Sequence, residues 1–359
     1  MPSGTTAAMA IATHKGSDAL TQKGSGSAAG KGDYRWMEFL DESIALEKTW
    51  IESAGIRVGQ RFRQRYAEGT QKIMGDLNVE LSASIPNTIL LSRALGGYSF
   101  TDGTPDVHTI TAGNLDSKFT NVWIARPQAG TTTYQNFEYR GMQVTNFEIT
   151  ADVNEYVKLM LSMCGHSLYH AAGLPESSAA LGLNPTATPS GGNRDSAVDY
   201  PADQPFSYAE CVVLAAWDDG TINDTMYIEG FSLSGDNAMS TDRFFIESEF
   251  GESGKMRPAL ENDFRNYTGT LRFGEYVPAN YNRYLAAKPT FKLRFTAQNS
   301  ATANANQRKI EITLRGRMDK PDGPNVTGPE LVGLEVPFTL FGVKPIEIKV
   351  SNTSSDLNL

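Results

Sequence analysis

Residues 72–81, KIMGDLNVEL, put an apolar side chain at nearly every second position. A β-strand turns that period into one buried and one wet face. The pattern recurs along the chain, in FTNVWIARP, NFEYRGMQVTNFEIT and NEYVKLMLSMCG, and later in AECVVLAAW, TMYIEGFSLSG, FKLRFTA, RKIEITLRGRM, EVPFTLFG and IEIKVS. Strands this short, separated by Gly, Pro, Asn and Asp turns, predict a mainly β fold of the sandwich or barrel kind.

A chain of 359 residues has room for two domains of ordinary size. Residues 1–33 are rich in Gly, Ser, Ala and Thr and read as a flexible arm. Residues 166–205 are rich in Pro, Gly, Ser and Ala and read as a linker or extended loop. The domains predicted between and after them cover 34–165 and 206–359. The net charge of −9 argues against a general nucleic-acid binder, which needs basic groups to neutralise phosphates. No apolar run approaches the ~20 residues of a membrane span, and the first residues carry neither the basic nor the apolar stretch of a secretory signal. Two cysteines are too few for a disulfide framework and fit a reducing compartment, here the cytoplasm of the producing cell.

The chain also repeats itself. KIMGDLNVELSASIPNTILLSRALG is a glycine-bearing strand followed by a short helix, predicted at 87–95. NYTGTLRFGEYVPANYNRYLAAK repeats that order, with its helix at 280–288. Gly75 answers Gly269 at an offset of 194 residues, and Arg140-Gly141 answers Arg315-Gly316 at an offset of 175. The loop GGYSFTDGTPDVHTITAGN, present in the first copy alone, accounts for the difference. Order and spacing predict an internal duplication.

The first strand pair can be given a register. With AEGT (67–70) as the turn, Val58 faces Val79 and Ile56 faces Leu81 on one side. Arg61 then faces Asp76, and Arg57 faces Glu80, on the other.

Few motifs suggest chemistry. In CGHSLYH, His166 and His170 would share a face if helical, but no Glu or third His completes a zinc site, so they read as solvated loop histidines. WDDGTIND lacks the alternating carboxylates of a calcium loop and reads as a hairpin turn. No nucleophile elbow and no phosphate loop is present. The chain is therefore predicted not to be an enzyme and to use no cofactor or metal.

The stretches IESAGIRVGQRFRQRY, KIMGDLNVELSASIPNTILLSRALGG, FTNVWIARP and FEYRGMQVTNFEITADVNEYVKLML, together with NYTGTLRF and YLAAKPTFKLRFTAQN, resemble tail tube proteins of long-tailed bacteriophages, in the branch with two tube folds per chain. The resemblance spans most of residues 34–352. It implies two tandem β-sandwich units, each with a short flanking helix, that form a β-barrel ring on oligomerisation. Three chains would close a pseudo-sixfold ring, and rings would stack into a hollow conduit for DNA. It also implies a virion protein whose partners are itself, a tape measure protein and tail terminator or tip proteins, with DNA passing through unbound and no membrane. The non-enzyme rival is a carbohydrate-binding β-sandwich of the virion, for receptor binding or decoration. If the wet strand face lines the conduit, its residues are Asp76, Asn78, Glu80, Arg57 and Arg61 in the first copy and Thr268, Thr270 and Arg272 in the second.

Overall fold

The computed structural model describes residues 7–13, 34–55, 62–63, 65–116, 118–127, 134–170, 203–217, 220–246, 254–257, 259–274, 290–300, 307–321 and 333–352, with 276, 278, 282 and 285 as single positions. The chain is mainly β, as its alternation predicts. The first half holds β1 (Ala8–Thr13), β2 (Tyr34–Met37), β3 (Asp41–Glu42), β4 (Ala45–Glu52), β5 (Tyr66–Glu80), α1 (Ile85–Leu95), β6 (Gly96–Thr101), β7 (Asp106–Ala112), β8 (Thr120–Pro127), β9 (Tyr134–Asp152), β10 (Lys158–Gly165) and β11 (Ser167–His170). The second half holds β12 (Cys211–Trp217), β13 (Asp224–Thr225), β14 (Gly230–Asp236), β15 (Met239–Ser240), β16 (Leu260–Glu261), β17 (Asn266–Phe273), β18 (Thr290–Gln298), β19 (Lys309–Met318), β20 (Leu334–Leu340) and β21 (Ile346–Asn352).

Hydrogen bonding links the strands of each half in one order. In the first, β8 pairs with β9, β9 with β10, β10 with β5, and β5 with β4. In the second, β18 pairs with β19, β19 with β20, β20 with β17, and β17 with β14. On the outer side of β8 lies β1, and on that of β18 lies β12. The part of β9 before Gly141 pairs with β11, and the part of β19 before Gly316 pairs with β21. Among the described residues two strand ladders join the halves, β9 with β14 and β7 with β21. Among the described residues the sheet remains open.

The core is a continuous apolar layer. Leu77, Val79 and Leu81 of the opening motif are fully buried in it, with Ile149, Leu159, Leu161, Leu233, Leu293 and Ile312. Helix α1 starts two residues before its predicted position. Ser84 caps it, accepting from the Asn87 amide, and Pro86 occupies the first turn, where no amide is needed. Its end falls at Gly96, whose positive φ of 92° a side chain would resist. The counterpart predicted at 280–288 lies almost wholly outside the described residues.

Four local expectations are corrected. Residues 8–13, assigned by composition to a flexible arm, form β1, paired with β2 and β8 and buried over 8–12. Average composition over 33 residues hid six that are small and apolar enough to close the edge of β8. The hairpin with a turn at 67–70 does not form, because those residues lie inside β5. Both edges of β5 are taken, by β3 and β4 on one side and β10 on the other. A strand has only two edges, and those pairings leave none along 71–80 for the predicted partner. The insertion GGYSFTDGTPDVHTITAGN (96–114), read as a loop, is mostly the β6–β7 hairpin, and β7 caps the edge of β21. Finally, His166 is buried, not solvated. The segment around it is extended, so His166 and His170 do not share a helical face.

Burial also decides the thiols. Cys164 and Cys211 are both free, and desolvation pushes each up to about 12. At neutral pH the thiolate fraction is then negligible. Maleimide should leave Cys164 unlabelled in the folded chain and modify both thiols once denaturant opens the core.

Candidate functional site

The alternation that buries Leu77 and Val79 turns Asp76, Asn78 and Glu80 to the opposite face of β5. Register carries that face across the seam. Asn78 stands beside Met160, Met160 beside Glu148, Glu148 beside Ser234, and Ser234 beside Thr268. Asp76 begins a neighbouring row through Ser162, Asn146 and Asp236 to Asn266, and Glu80 another through Lys158, Thr150 and Ser232 to Thr270. Arg272 pairs with Gly230, whose other neighbour is Asp152. Residues of β5 and β17, about 190 positions apart in sequence, thus share one polar sheet face. Four strand spacings separate them, about 19 Å.

Arg57 and Arg61 lie outside the described residues. The cross-strand partners predicted for them are in any case occupied otherwise. Asp76 accepts from the Ser162 hydroxyl at 2.7 Å, and its amide donates to Ser43 Oγ at 2.9 Å. Asn78 Nδ2 donates to Asp41 Oδ1 at 2.6 Å. Glu80 stands opposite Lys158.

Sequence reasoning missed the middle of this face: Glu148 and Asp152 on β9, Lys158 and Ser162 on β10, Ser232, Ser234 and Asp236 on β14. The signal was present, since NFEITAD and GFSLSGD alternate as cleanly as the opening motif. What was missing was the knowledge that β9 and β14 are neighbours.

The face is acidic on balance. Asp76, Glu80, Glu148, Asp152, Asp236 and Glu335 outnumber Lys158, Arg272 and Arg317 along the paired rows. Arg272 ties the halves together through Asp152 at 2.6 Å, but both ends are about half exposed, so the pair contributes at most about 1 kcal/mol. The Glu155 carboxylate, hydrogen-bonded to Lys158, holds that ammonium above the usual lysine range, with Asp152 and Glu80 adding to the effect. A face of net negative charge repels phosphate.

A cleft of about 660 Å³ beside the start of α1 gathers Glu38, Asp41, Glu42, Glu80 and Asp203. Its acids are largely engaged: Glu42 with Arg126, Asp41 with Asn78, and Asp203 with Arg308. No cluster of metal-ligating side chains occurs among the described residues.

Residues 4–340 match the family model described as phage tail tube protein, and the chain belongs to that family. A search of curated proteins returned no match.

Proposed function

Starting from membership of the phage tail tube family, we propose that this chain is the structural subunit of a tail tube, stacking as rings into a hollow conduit through which phage DNA passes. The observation that carries the proposal is the mostly polar face that continuous strand pairing carries from β5 to β17. Each half offers four strands in the same order to that face, β4-β5-β10-β9 and then β14-β17-β20-β19. The common order supports reading the halves as tandem tube units. In that reading, β9–β14 is the joint between two units, made within one chain. The same joint repeated between chains would close three chains into a ring of six units, removing the open edges that otherwise invite aggregation.

The dimensions support the reading. Six units of four strands give a barrel of about 24 strands. At about 4.8 Å spacing its circumference is roughly 115 Å and its diameter at least about 37 Å, more if the strands tilt. Duplex DNA fits such a bore. An acidic lining suits a conduit, because cargo that binds its walls does not slide. Tape measure, terminator and tip proteins are the partners the family implies, and the virion tail is its place.

Negative-stain images of the purified protein should contain rings or hollow tubes; compact single chains at high concentration would sink the proposal. The lining assignment has its own test. Phage carrying Asp76→Lys with Glu80→Lys should build tails of normal length but eject DNA several-fold more slowly, with recovery at higher salt. The substitutions remove the Ser162 contact and set a second ammonium opposite Lys158, a cost of about 1 kcal/mol that ring burial can absorb. Broken tails with normal ejection from the survivors would place these side chains at a subunit contact.

A further inference from the structure

The two ends of the strand rows are unlike. β5 runs from the Asp76 row to the Glu80 row, and beyond Glu80 it borders the cleft that also gathers Glu38, Leu40, Ser82 and Ser84. β20 runs the other way. Pro337 stands in the Glu80 row and Thr339 in the Asn78 row, and the chain leaves the sheet beyond them as the turn 341–344. Cleft and turn therefore lie toward opposite ends of the rows. They are also five strand spacings apart, about 24 Å, so the turn of a chain cannot enter that chain's own cleft.

The turn is apolar and uncovered. Phe341 is 48% exposed and Val343 98%, and a Cβ added at Gly342 between them would meet nothing within 4 Å. The φ of 104° at Gly342 is one that glycine adopts without strain. Lys344 follows, exposed and in no ion pair among the described residues, and Arg315 adds a second positive charge to the same hollow. An apolar tip held out in this way calls for a partner.

The cleft is its complement. Phe39 and Leu40, the latter 48% exposed, give it an apolar wall, and every charged residue lining it is an acid. Glu42 is held by Arg126, Asp203 by Arg308 and Asp41 by Asn78, while Glu80 faces Lys158. Glu38 is left, exposed and in no ion pair among the described residues. An apolar turn that ends in an ammonium matches an apolar wall beside a carboxylate in both respects.

We propose that the 341–344 turn of one copy docks in the cleft of a second copy in the next ring, with Val343 against Leu40 and Lys344 beside Glu38. This rests on the stacked-ring reading above and names the contact that stacks the rings. Because one end of the rows meets the opposite end of the next copy, the contact is head to tail and does not close on itself. Three chains per ring would bring three turns to three clefts.

The test uses the full chain with Leu40→Cys and Val343→Cys together, assembled and then mildly oxidised. A non-reducing denaturing gel should show a ladder running past trimers. A contact along the stack joins chain after chain, whereas one within a three-chain ring stops at three. Each single-cysteine variant should run as a monomer. Separately, Glu38→Lys and Lys344→Glu should each shorten tubes several-fold in negative stain while leaving rings, and the two together should restore length. All four positions are exposed, so the melting curve of the unassembled chain should not move. Tubes that form without the 40–343 linkage, or a ladder that stops at trimers, overturn the docking and leave the tube reading standing. Charge reversals that change nothing singly, or that fail to restore length together, do the same. Failure of the unmodified protein to assemble at all overturns both.

Discussion

Replacing Gly75 with alanine should cost about 3 kcal/mol or more, and with valine should leave no folded chain. A Cβ at Gly75 would lie 2.5 Å from Ile44 Cα and 2.6 Å from Ile44 N. Those are backbone atoms on the turn between β3 and β4, so no rotamer change relieves the clash and a strand must move. Gly269, its counterpart in sequence, is crowded for a related reason. A Cβ there would meet Phe338 Cζ at 2.3 Å and the Ser232 carbonyl at 2.4 Å. The ring can turn but the carbonyl cannot, so Gly269→Ala should fall somewhat short of Gly75→Ala. Gly342 is the control: its φ of 104° strains any side chain, yet nothing lies within 4 Å. Gly342→Ala should cost only the backbone term, about 1–2 kcal/mol. Urea unfolding of the three alanine variants gives the order, and equal losses at 75 and 342 would show that close approach is not what selects glycine at 75.

The second large effect belongs to Asn237, fully buried where the halves meet. Its Nδ2 donates to the carbonyls of Ala94 at 2.9 Å and Val144 at 3.1 Å, both in the first half. Its Oδ1 accepts from the Tyr267 hydroxyl at 2.9 Å, and its amide donates to the Thr145 carbonyl at 2.9 Å. Asn237→Ala takes the donor from two buried carbonyls, each worth about 1–3 kcal/mol when buried and unpaired, and the acceptor from the Tyr267 hydroxyl, which keeps its interaction with Arg265. A total loss of about 4 kcal/mol is expected, felt across the seam. Tyr267→Phe removes one of the same bonds and keeps the packing, so about 1 kcal/mol is expected. Urea unfolding followed by tryptophan fluorescence should be a single transition in the unmodified chain and split in two with Asn237→Ala. An unsplit curve with a loss under about 1 kcal/mol would mean the β9–β14 ladder holds the halves without it.

Local structure was legible from the residues alone. Period-two alternation identified most strands, and it assigned Leu77, Val79 and Leu81 to the core and Asp76, Asn78 and Glu80 to the wet face, because side-chain direction along a strand is a local property. Ser84, Pro86 and Gly96 delimit α1 by equally local rules. Which strands are neighbours emerged only in the folded sheet. Residues 73–80 of β5 pair with 158–165, some 80 residues on, and β3 and β4 occupy the other edge. The same holds for β1, which looked like part of a tail until the edge of β8 gave it a partner, and for the β6–β7 insertion, which needed β21. The polar face is the clearest case. Every residue on it was visible as an alternating position, but that Asn78 and Thr268 share one surface depends on the β9–β14 ladder. Edge pairing is non-local: any strand of suitable length and twist satisfies the same backbone hydrogen bonds, and only the packing of the whole layer selects among them.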